Sequence, residues 1–204
     1  MTFEMVVALI GFAFATSISP GPSNLLVLAS GANFGFARTL PLVLGVSSGF
    51  LAMVFLVGTI LGPVLARLPE LYVVMRLVCG IYVAWLAVRI AGSRSIGSVG
   101  DTAAASPMGF LQGALLQLVN PKAWTVALIV TVSYTEPERF LASLVVLIAL
   151  FAVVNFPSIA VWAVSGAALR RVLNHGRRIV LFNVGLAMLL VGSMIPVLLS
   201  SSIG

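Results

Sequence analysis

The chain has 204 residues, of which 61% are hydrophobic and only 8% are charged, and its mean hydropathy is +1.20. A soluble domain carries about a quarter charged residues, so this composition excludes a water-exposed surface and leaves the lipid bilayer as the solvent. The net charge of +6 does not indicate nucleic-acid binding, because the basic residues form no patch interleaved with aromatic residues and instead mark cytoplasmic loops.

Six apolar segments follow one another along the chain, separated by Gly, Pro, Ser and charged residues. They cover residues 5–32, 40–66, 71–91, 107–134, 140–168 and 179–200. Each is long enough for a membrane helix of roughly 20 residues, and no hydrophilic stretch is long enough for a second domain. The sequence therefore predicts an all-α membrane protein in which residues 1–204 form one transmembrane domain with six helices.

The loops between these segments differ in charge from one side of the membrane to the other. Most arginines fall in the loops on one side, whereas the glutamates all fall on the other. The positive-inside rule makes the arginine-rich side cytoplasmic, so both termini are predicted to be periplasmic. The N-terminus has no basic region and no A-x-A cleavage site, and is therefore assigned to the first span rather than to a cleaved signal peptide.

Residues 92–106 form a flexible linker that divides the chain into halves, 1–91 and 107–204, with three predicted helices each. An odd number of spans per half makes the first and fourth helices enter the membrane from opposite faces. This arrangement permits a 3+3 inverted-topology repeat, which is common among secondary transporters.

Proline interrupts the first and fourth segments near their middles, in "SPGPSN" (19–24) and "QLVNPK" (117–122). Proline breaks a helix, and the freed backbone groups in a membrane need protein or water as partners. We expect two half-helix N-termini to meet near the midplane, where their positive dipole ends would hold a carboxylate. The candidate binding residues there are Pro20, Gly21, Pro22, Ser23, Asn24, Asn120, Pro121 and Lys122.

Lys122 is the only lysine in the sequence and lies well inside the fourth predicted span. A cation there costs at least a few kcal/mol unless it is paired or hydrated, and none of the six span interiors contains an acidic residue. A bound anion explains it best; a lysine that is neutral while the site is empty is the alternative. Asn155, beside Pro157, is a further polar interruption and a candidate for lining the same cavity.

Simple packing also explains some of these features. Proline kinks and small polar residues in membrane helices often serve only close packing. Gly31, Ala32 and the Gly45/Gly49 pair are interpreted in this way, and the pair is also compatible with a homo-oligomer.

Three motifs in this order resemble the LysE/RhtB family of bacterial amino-acid exporters: "SPGPSNLLVLASGANFGFAR" (19–38), G-x-x-x-G-F (45–50) and "QLVNPKAW" (117–124). The resemblance covers essentially the whole chain. It implies an inner-membrane exporter of amino acids or their derivatives that is driven by the proton gradient. Family members that export lysine and arginine carry aspartates where this chain has Ser48 and Val126. The resemblance therefore implies the RhtB-like branch and neutral substrates such as threonine, homoserine, leucine or cysteine. In the resulting hypothesis, Ser48 and Asn155 line the pocket for the substrate side chain.

The same residues also bear on other possible functions. An intramembrane enzyme would need a nucleophile and base or metal ligands within the spans, and the sequence offers neither there, so no enzyme activity, cofactor or metal is expected. A metal-ion exporter of related architecture would need carboxylate, histidine or thiolate ligands. A structural or regulatory subunit remains as an alternative, in which the polar breaks would face a partner helix.

Overall fold

A computed structural model describes residues 1–61, 69–91, 106–169 and 176–199, and within these ranges the chain forms eight α-helices and no β-strand. The helices are α1 (Phe3–Ile18), α2 (Pro22–Phe34), α3 (Phe36–Leu56), α4 (Pro69–Ala91), α5 (Phe110–Leu116), α6 (Pro121–Tyr134), α7 (Phe140–Leu169) and α8 (Gly176–Leu199). A π-helical turn (Val57–Leu61) extends α3, and a 3-10 turn (Gln117–Val119) follows α5. The predicted all-α class is confirmed.

The chain bends sharply at the two places where the prolines predict a break. The axes of α1 and α2 differ by 55°, and those of α5 with its 3-10 turn and α6 differ by 75°. Pro22 is the first residue of α2 and Pro121 is the first residue of α6. Proline is well suited to this position, because the first helical N–H has no intrahelical partner to lose.

Two helical stretches of the described residues are long and apolar enough to cross a membrane, Phe36–Ile60 and Pro137–Leu169. The number rises to four if each bent pair counts as one span. Helices α4 and α8 contain shorter apolar stretches, Leu77–Val88 and Val180–Ser193. Residues 92–105 of the predicted linker lie outside the described residues.

Glycines allow α3 and α5 to approach closely. A Cβ atom on Gly45 would overlap the backbone carbonyl of Phe110, and one on Gly49 would lie 2.6 Å from the Cα of Ala114. Only a residue without a side chain fits at such distances. The interpretation of this G-x-x-x-G pair as a packing device is confirmed, and its contacts lie within the chain.

A second close approach joins α2 to α7. A Cβ atom on Gly31 would overlap the carbonyl oxygen of Ala163, and one on Gly166 would overlap that of Leu28. Each helix thus presents a glycine to the backbone of the other. The second half of the first broken helix is thereby held tightly against the long helix α7.

The start of α1 is tied to the loop that follows α6. The N-terminal ammonium group of Met1 forms an ion pair with Glu136, with 2.6 Å between the nitrogen and Oε1. The N-terminus and this loop therefore lie at the same end of the helix bundle, as the distribution of charged residues predicts.

Candidate functional site

A small cavity lies where the two helix breaks meet. It offers about 50 Å³ to water-sized groups, several times the room that one water molecule needs. Its polar lining residues are Thr16, Ser17, Ser23, Asn24, Gln117, Asn120, Lys122 and Asn155. The structure therefore brings together most of the polar residues that the sequence singles out in distant parts of the chain.

Direct hydrogen bonds connect the two breaks through Ser23, the second residue of α2. Its hydroxyl oxygen accepts from Asn120 Nδ2 at 2.8 Å and from Gln117 Nε2 at 3.0 Å. Gln117 precedes the second break, Asn120 lies in it, and the two are also bonded to each other, with 3.3 Å between Gln117 Oε1 and Asn120 Nδ2. The beginning of α2 and the second break are thus held together by side chains.

Lys122 reaches from the first turn of α6 to the C-terminal end of α1. Its Nζ donates to the carbonyl oxygen of Ser19 at 2.7 Å and to the Ser19 hydroxyl at 2.8 Å. The end of α1 carries the negative pole of the helix dipole, which favours a cation. An ammonium group has three donors, so these two bonds leave one donor of Lys122, which lines the cavity.

Gly21 makes room for this lysine. A Cβ atom at residue 21 would lie 2.8 Å from Lys122 Cδ and 3.3 Å from its Nζ. The backbone φ of Gly21 is −168°, an extended conformation that any residue can adopt. Glycine therefore leaves space for the lysine side chain that lies over it, and backbone strain plays no part.

The last carbonyl groups of α1 are satisfied by side chains. Asn24 Nδ2 donates to the carbonyl oxygens of Ser17 at 2.8 Å and Ser19 at 2.9 Å, and Trp162 Nε1 donates to that of Ile18 at 3.2 Å. Helix ends buried in a membrane protein need such partners, because lipid supplies none. The amide nitrogen of Asn24 thus bonds to the C-terminal end of α1, and the residue also lines the cavity.

The second break is capped in a related way. Asn120 Oδ1 accepts from the backbone N–H of Lys122 at 3.2 Å, and Trp124 Nε1 donates to the carbonyl oxygen of Leu118 at 3.0 Å. Each break therefore has one carbonyl group that is bonded to a tryptophan side chain. The first N–H group of α6 is already occupied by its Asn120 cap.

The two half-helix N-termini consequently differ in what they offer to a ligand. In α2, the first intrahelical bond runs from Leu25 N–H to Gly21 O at 3.0 Å. The N–H groups of Ser23 and Asn24 precede that bond and stand outside the helical ladder. The expectation of free N–H groups at the break fits the start of α2 better than the start of α6.

The remaining predicted site residues fall into two groups. Asn155 lines the cavity, where its Nδ2 donates to Ser17 Oγ at 2.9 Å. Ser48 lies outside the cavity lining and donates to the carbonyl oxygen of Leu44 in its own helix at 2.7 Å. The prolines shape the breaks without lining the cavity: Pro22 and Pro121 are buried helix starts, and Pro20 is exposed.

Six apolar residues also line the cavity, and the sequence alone did not single them out as a set. This apolar wall consists of Val46, Phe50, Ala123, Val126, Phe151 and Ile159. The rings of Phe50 and Phe151 pack together with 5.5 Å between their centroids. Among the described lining residues, Lys122 is the one charged side chain. Nowhere in the described part of the chain do three His, Cys, Asp or Glu side chains come together as a metal site would need.

Comparison with known proteins identifies related chains over nearly the full length. A family model described as "LysE type translocator" matches residues 14–197. Proteins named "Cysteine/O-acetylserine efflux protein" from Salmonella choleraesuis (strain SC-B67), Salmonella typhimurium (strain LT2) and Escherichia coli (strain K12) are each 28% identical over 193 residues. These alignments cover 94% of this chain and 96% of each relative. No solved structure matches the chain.

Proposed function

The chain belongs to the LysE type translocator family, and from this premise we propose that it exports neutral amino acids or their derivatives from the cytoplasm across the bacterial inner membrane. The substrates would be small neutral amino acids such as threonine, homoserine, leucine and cysteine. The relatives named for cysteine and O-acetylserine efflux support this class of substrate.

The cavity at the two breaks is the observation that carries the proposal. A substrate carboxylate there would accept from the remaining donor of Lys122 and from the N–H groups of Ser23 and Asn24. Anions bind well at a helix N-terminus, where N–H groups and the positive end of the dipole coincide. A subunit without transport activity would instead need the breaks to contact a partner helix, and Asn24 and Asn120 both line a cavity.

The apolar wall supports a neutral side chain on the substrate. Val126 stands one helical turn after Lys122 and lines the same cavity, and neither residue can neutralise a cationic side chain. Phe50, Phe151 and Ile159 offer the substrate side chain an apolar surface. A lysine or arginine side chain would lose hydration there without gaining a partner.

Helix packing supports the proposed inverted repeat of six spans. Helix α3 packs on α7 and α4 packs on α8, which pairs equivalent helices of the two halves. The broken helix of each half also packs on the middle helix of the other half, α5 on α3 and both α1 and α2 on α7. In this topology α4 and α8 complete the six spans, both termini lie in the periplasm, and the halves move against each other in alternating access.

The driving force in this proposal is proton antiport. The described cavity lining contains no carboxylate, so the proton would be carried by Lys122, by the substrate or by ordered water. This separates the chain from transporters whose proton relays use buried acidic residues.

Efflux from cells tests the proposal directly. Cells that overproduce the chain are loaded with dipeptides containing threonine, leucine or cysteine, and the free amino acids are measured outside over time. We expect the wild-type protein to raise the efflux of at least one of them over cells without it, and Lys122→Ala to lower that efflux at least about tenfold, as expected for loss of a charge-assisted hydrogen bond. Arg139→Ala removes one positive charge from an exposed loop position and serves as the matched control. Equal efflux by the wild type and Lys122→Ala, at equal protein levels, would contradict the site assignment.

A further inference from the structure

One buried polar atom at the cavity has no hydrogen-bond partner. This atom is Asn155 Oδ1, the one buried side-chain nitrogen or oxygen without a hydrogen-bond partner among the side chains that the structure describes. The residue is 5% exposed and lines the cavity. Leaving an acceptor buried and unpaired costs on the order of 1–3 kcal/mol, so such an atom in a native site needs an explanation. A ligand that donates a hydrogen bond to Asn155 Oδ1 would explain why this atom has no partner within the protein.

The amide nitrogen of the same side chain contacts α1. Asn155 Nδ2 donates to Ser17 Oγ at 2.9 Å, so the side chain is held against the end of α1. Two other amide oxygens of the cavity are already in use, since Gln117 Oε1 accepts from Asn120 Nδ2 and Asn120 Oδ1 accepts from the Lys122 N–H. Asn155 Oδ1 is therefore an amide oxygen that is available to a new donor.

Asn155 and Lys122 line the same cavity. Asn155 contacts Ser17 and Lys122 contacts Ser19, so both side chains are held at the C-terminal end of α1. A free amino acid carries its ammonium and carboxylate groups on one carbon atom, so a single molecule in this cavity would present both groups to the residues that line it.

We propose that Asn155 Oδ1 accepts a hydrogen bond from the α-ammonium group of the substrate while Lys122 and the start of α2 hold its carboxylate. Asn155 would then determine specificity for free α-amino acids, rather than line the side-chain pocket. This inference rests on the proposed function, because it assigns a part of the substrate to a residue of the same site.

A ligand series tests the proposal on the purified full-length protein in detergent. L-cysteine, N-acetyl-L-cysteine and L-cysteine methyl ester differ in whether the ammonium or the carboxylate group is intact. Binding is read from ligand-induced stabilisation against heat, titrated to a midpoint concentration for each compound. We expect wild-type protein to bind L-cysteine about 10- to 100-fold more tightly than its N-acetyl derivative, the ratio expected for one hydrogen bond to a charged group.

Variants then show which residue causes the preference for a free ammonium group. In Asn155→Leu, the preference for L-cysteine over N-acetyl-L-cysteine should fall to within about threefold, while the preference over the methyl ester persists, because Lys122 is unchanged. Asn155→Asp keeps an oxygen acceptor and should retain the preference for the free ammonium group. Asn33→Leu is the matched control, since the Asn33 side chain donates to Ala29 O of its own helix and lies outside the cavity lining.

Each outcome bears on a different claim. A wild-type protein that binds L-cysteine and its N-acetyl derivative equally, or an Asn155→Leu variant that keeps the full preference, would overturn the role of Asn155. The wild-type comparison needs no variant, so the proposal stays testable even if Asn155→Leu fails to fold. Discriminating binding without any amino-acid efflux from cells would contradict the proposed function and support the role of Asn155.

Discussion

Replacing Gly21 with alanine tests the contact between residue 21 and Lys122, on which the proposed carboxylate site depends. The added methyl carbon would lie 2.8 Å from Lys122 Cδ, whereas carbon atoms in contact are about 3.5–4.0 Å apart. The lysine side chain must therefore move by about 0.7–1.2 Å. If Nζ moves with Cδ, its 2.7 Å and 2.8 Å bonds to Ser19 lengthen beyond the roughly 3.2 Å limit of an N–H···O bond.

We expect Gly21→Ala to lower amino-acid efflux about 10- to 100-fold, since hydrogen bonds to charged groups contribute about 1.5–3 kcal/mol each. Efflux is measured as for Lys122→Ala, with protein levels checked by immunoblotting. Gly11→Ala is the matched control, because a Cβ atom on Gly11 would have nothing within 4 Å, and it should keep wild-type efflux.

A double-mutant cycle shows whether the alanine acts through the lysine. If it does, adding Gly21→Ala to Lys122→Ala should cause no further loss, because the displaced group is already absent. Wild-type efflux by Gly21→Ala at normal protein levels would refute the reasoning. Additive losses in the double variant would show that Gly21 acts through a different contact.

Three further substitutions test other features of the site and its frame. Trp124→Phe removes the indole donor to the Leu118 carbonyl at the second break and should lower the free energy of unfolding by about 1–3 kcal/mol; an unchanged melting temperature of the purified protein would argue against this cap. Gly166→Ala places a methyl group against the backbone of α2 and should lower the melting temperature by roughly 2–12 °C, whereas Gly185→Ala, where a Cβ atom meets nothing within 4 Å, should not. Val126→Asp puts a carboxylate one turn from Lys122, where it should pair with the ammonium group and lower the efflux of neutral amino acids at least about tenfold; wild-type efflux would place Val126 outside the substrate path.

The helix breaks were predictable from sequence because their causes are local. Proline is favoured at the first position of a helix and therefore predicts a new helix start. Pro22 and Pro121 are the first residues of α2 and α6. The packing glycines were recognisable for a similar reason, since small residues at a spacing of four lie on one helix face.

The partners of the site residues were not predictable, because they depend on how distant helices meet. The predicted span interiors contain no acid to pair with Lys122, and its actual partners are the backbone carbonyl and the hydroxyl of Ser19 at the end of α1. Trp124 and Trp162 appear scattered in sequence, yet each caps a break. Backbone acceptors are present at every residue, so the sequence does not say which one becomes available.

The position of Ser48 shows how a helix face decides which residues reach the site. Val46 and Phe50 line the cavity, and residues four apart share a face of a helix. Ser48 lies between them and points about 200° away, given 100° per residue. A resemblance of aligned positions suggested the pocket for Ser48, whereas the helical period favours its neighbours.

The end of α1 is held by side chains from three other helices, Asn24 of α2, Lys122 of α6 and Trp162 of α7. The bond from Lys122 joins the two halves of the chain, and the same ammonium group faces the cavity. In the proposed function, a carboxylate accepts from the remaining donor of the same ammonium group, so occupancy of the site and the bonds from Lys122 to Ser19 would be thermodynamically linked. Substrate binding would then favour one placement of α1 against α6, and the energy of binding would be available to shift the balance between the inward-open and outward-open forms that the proposal requires.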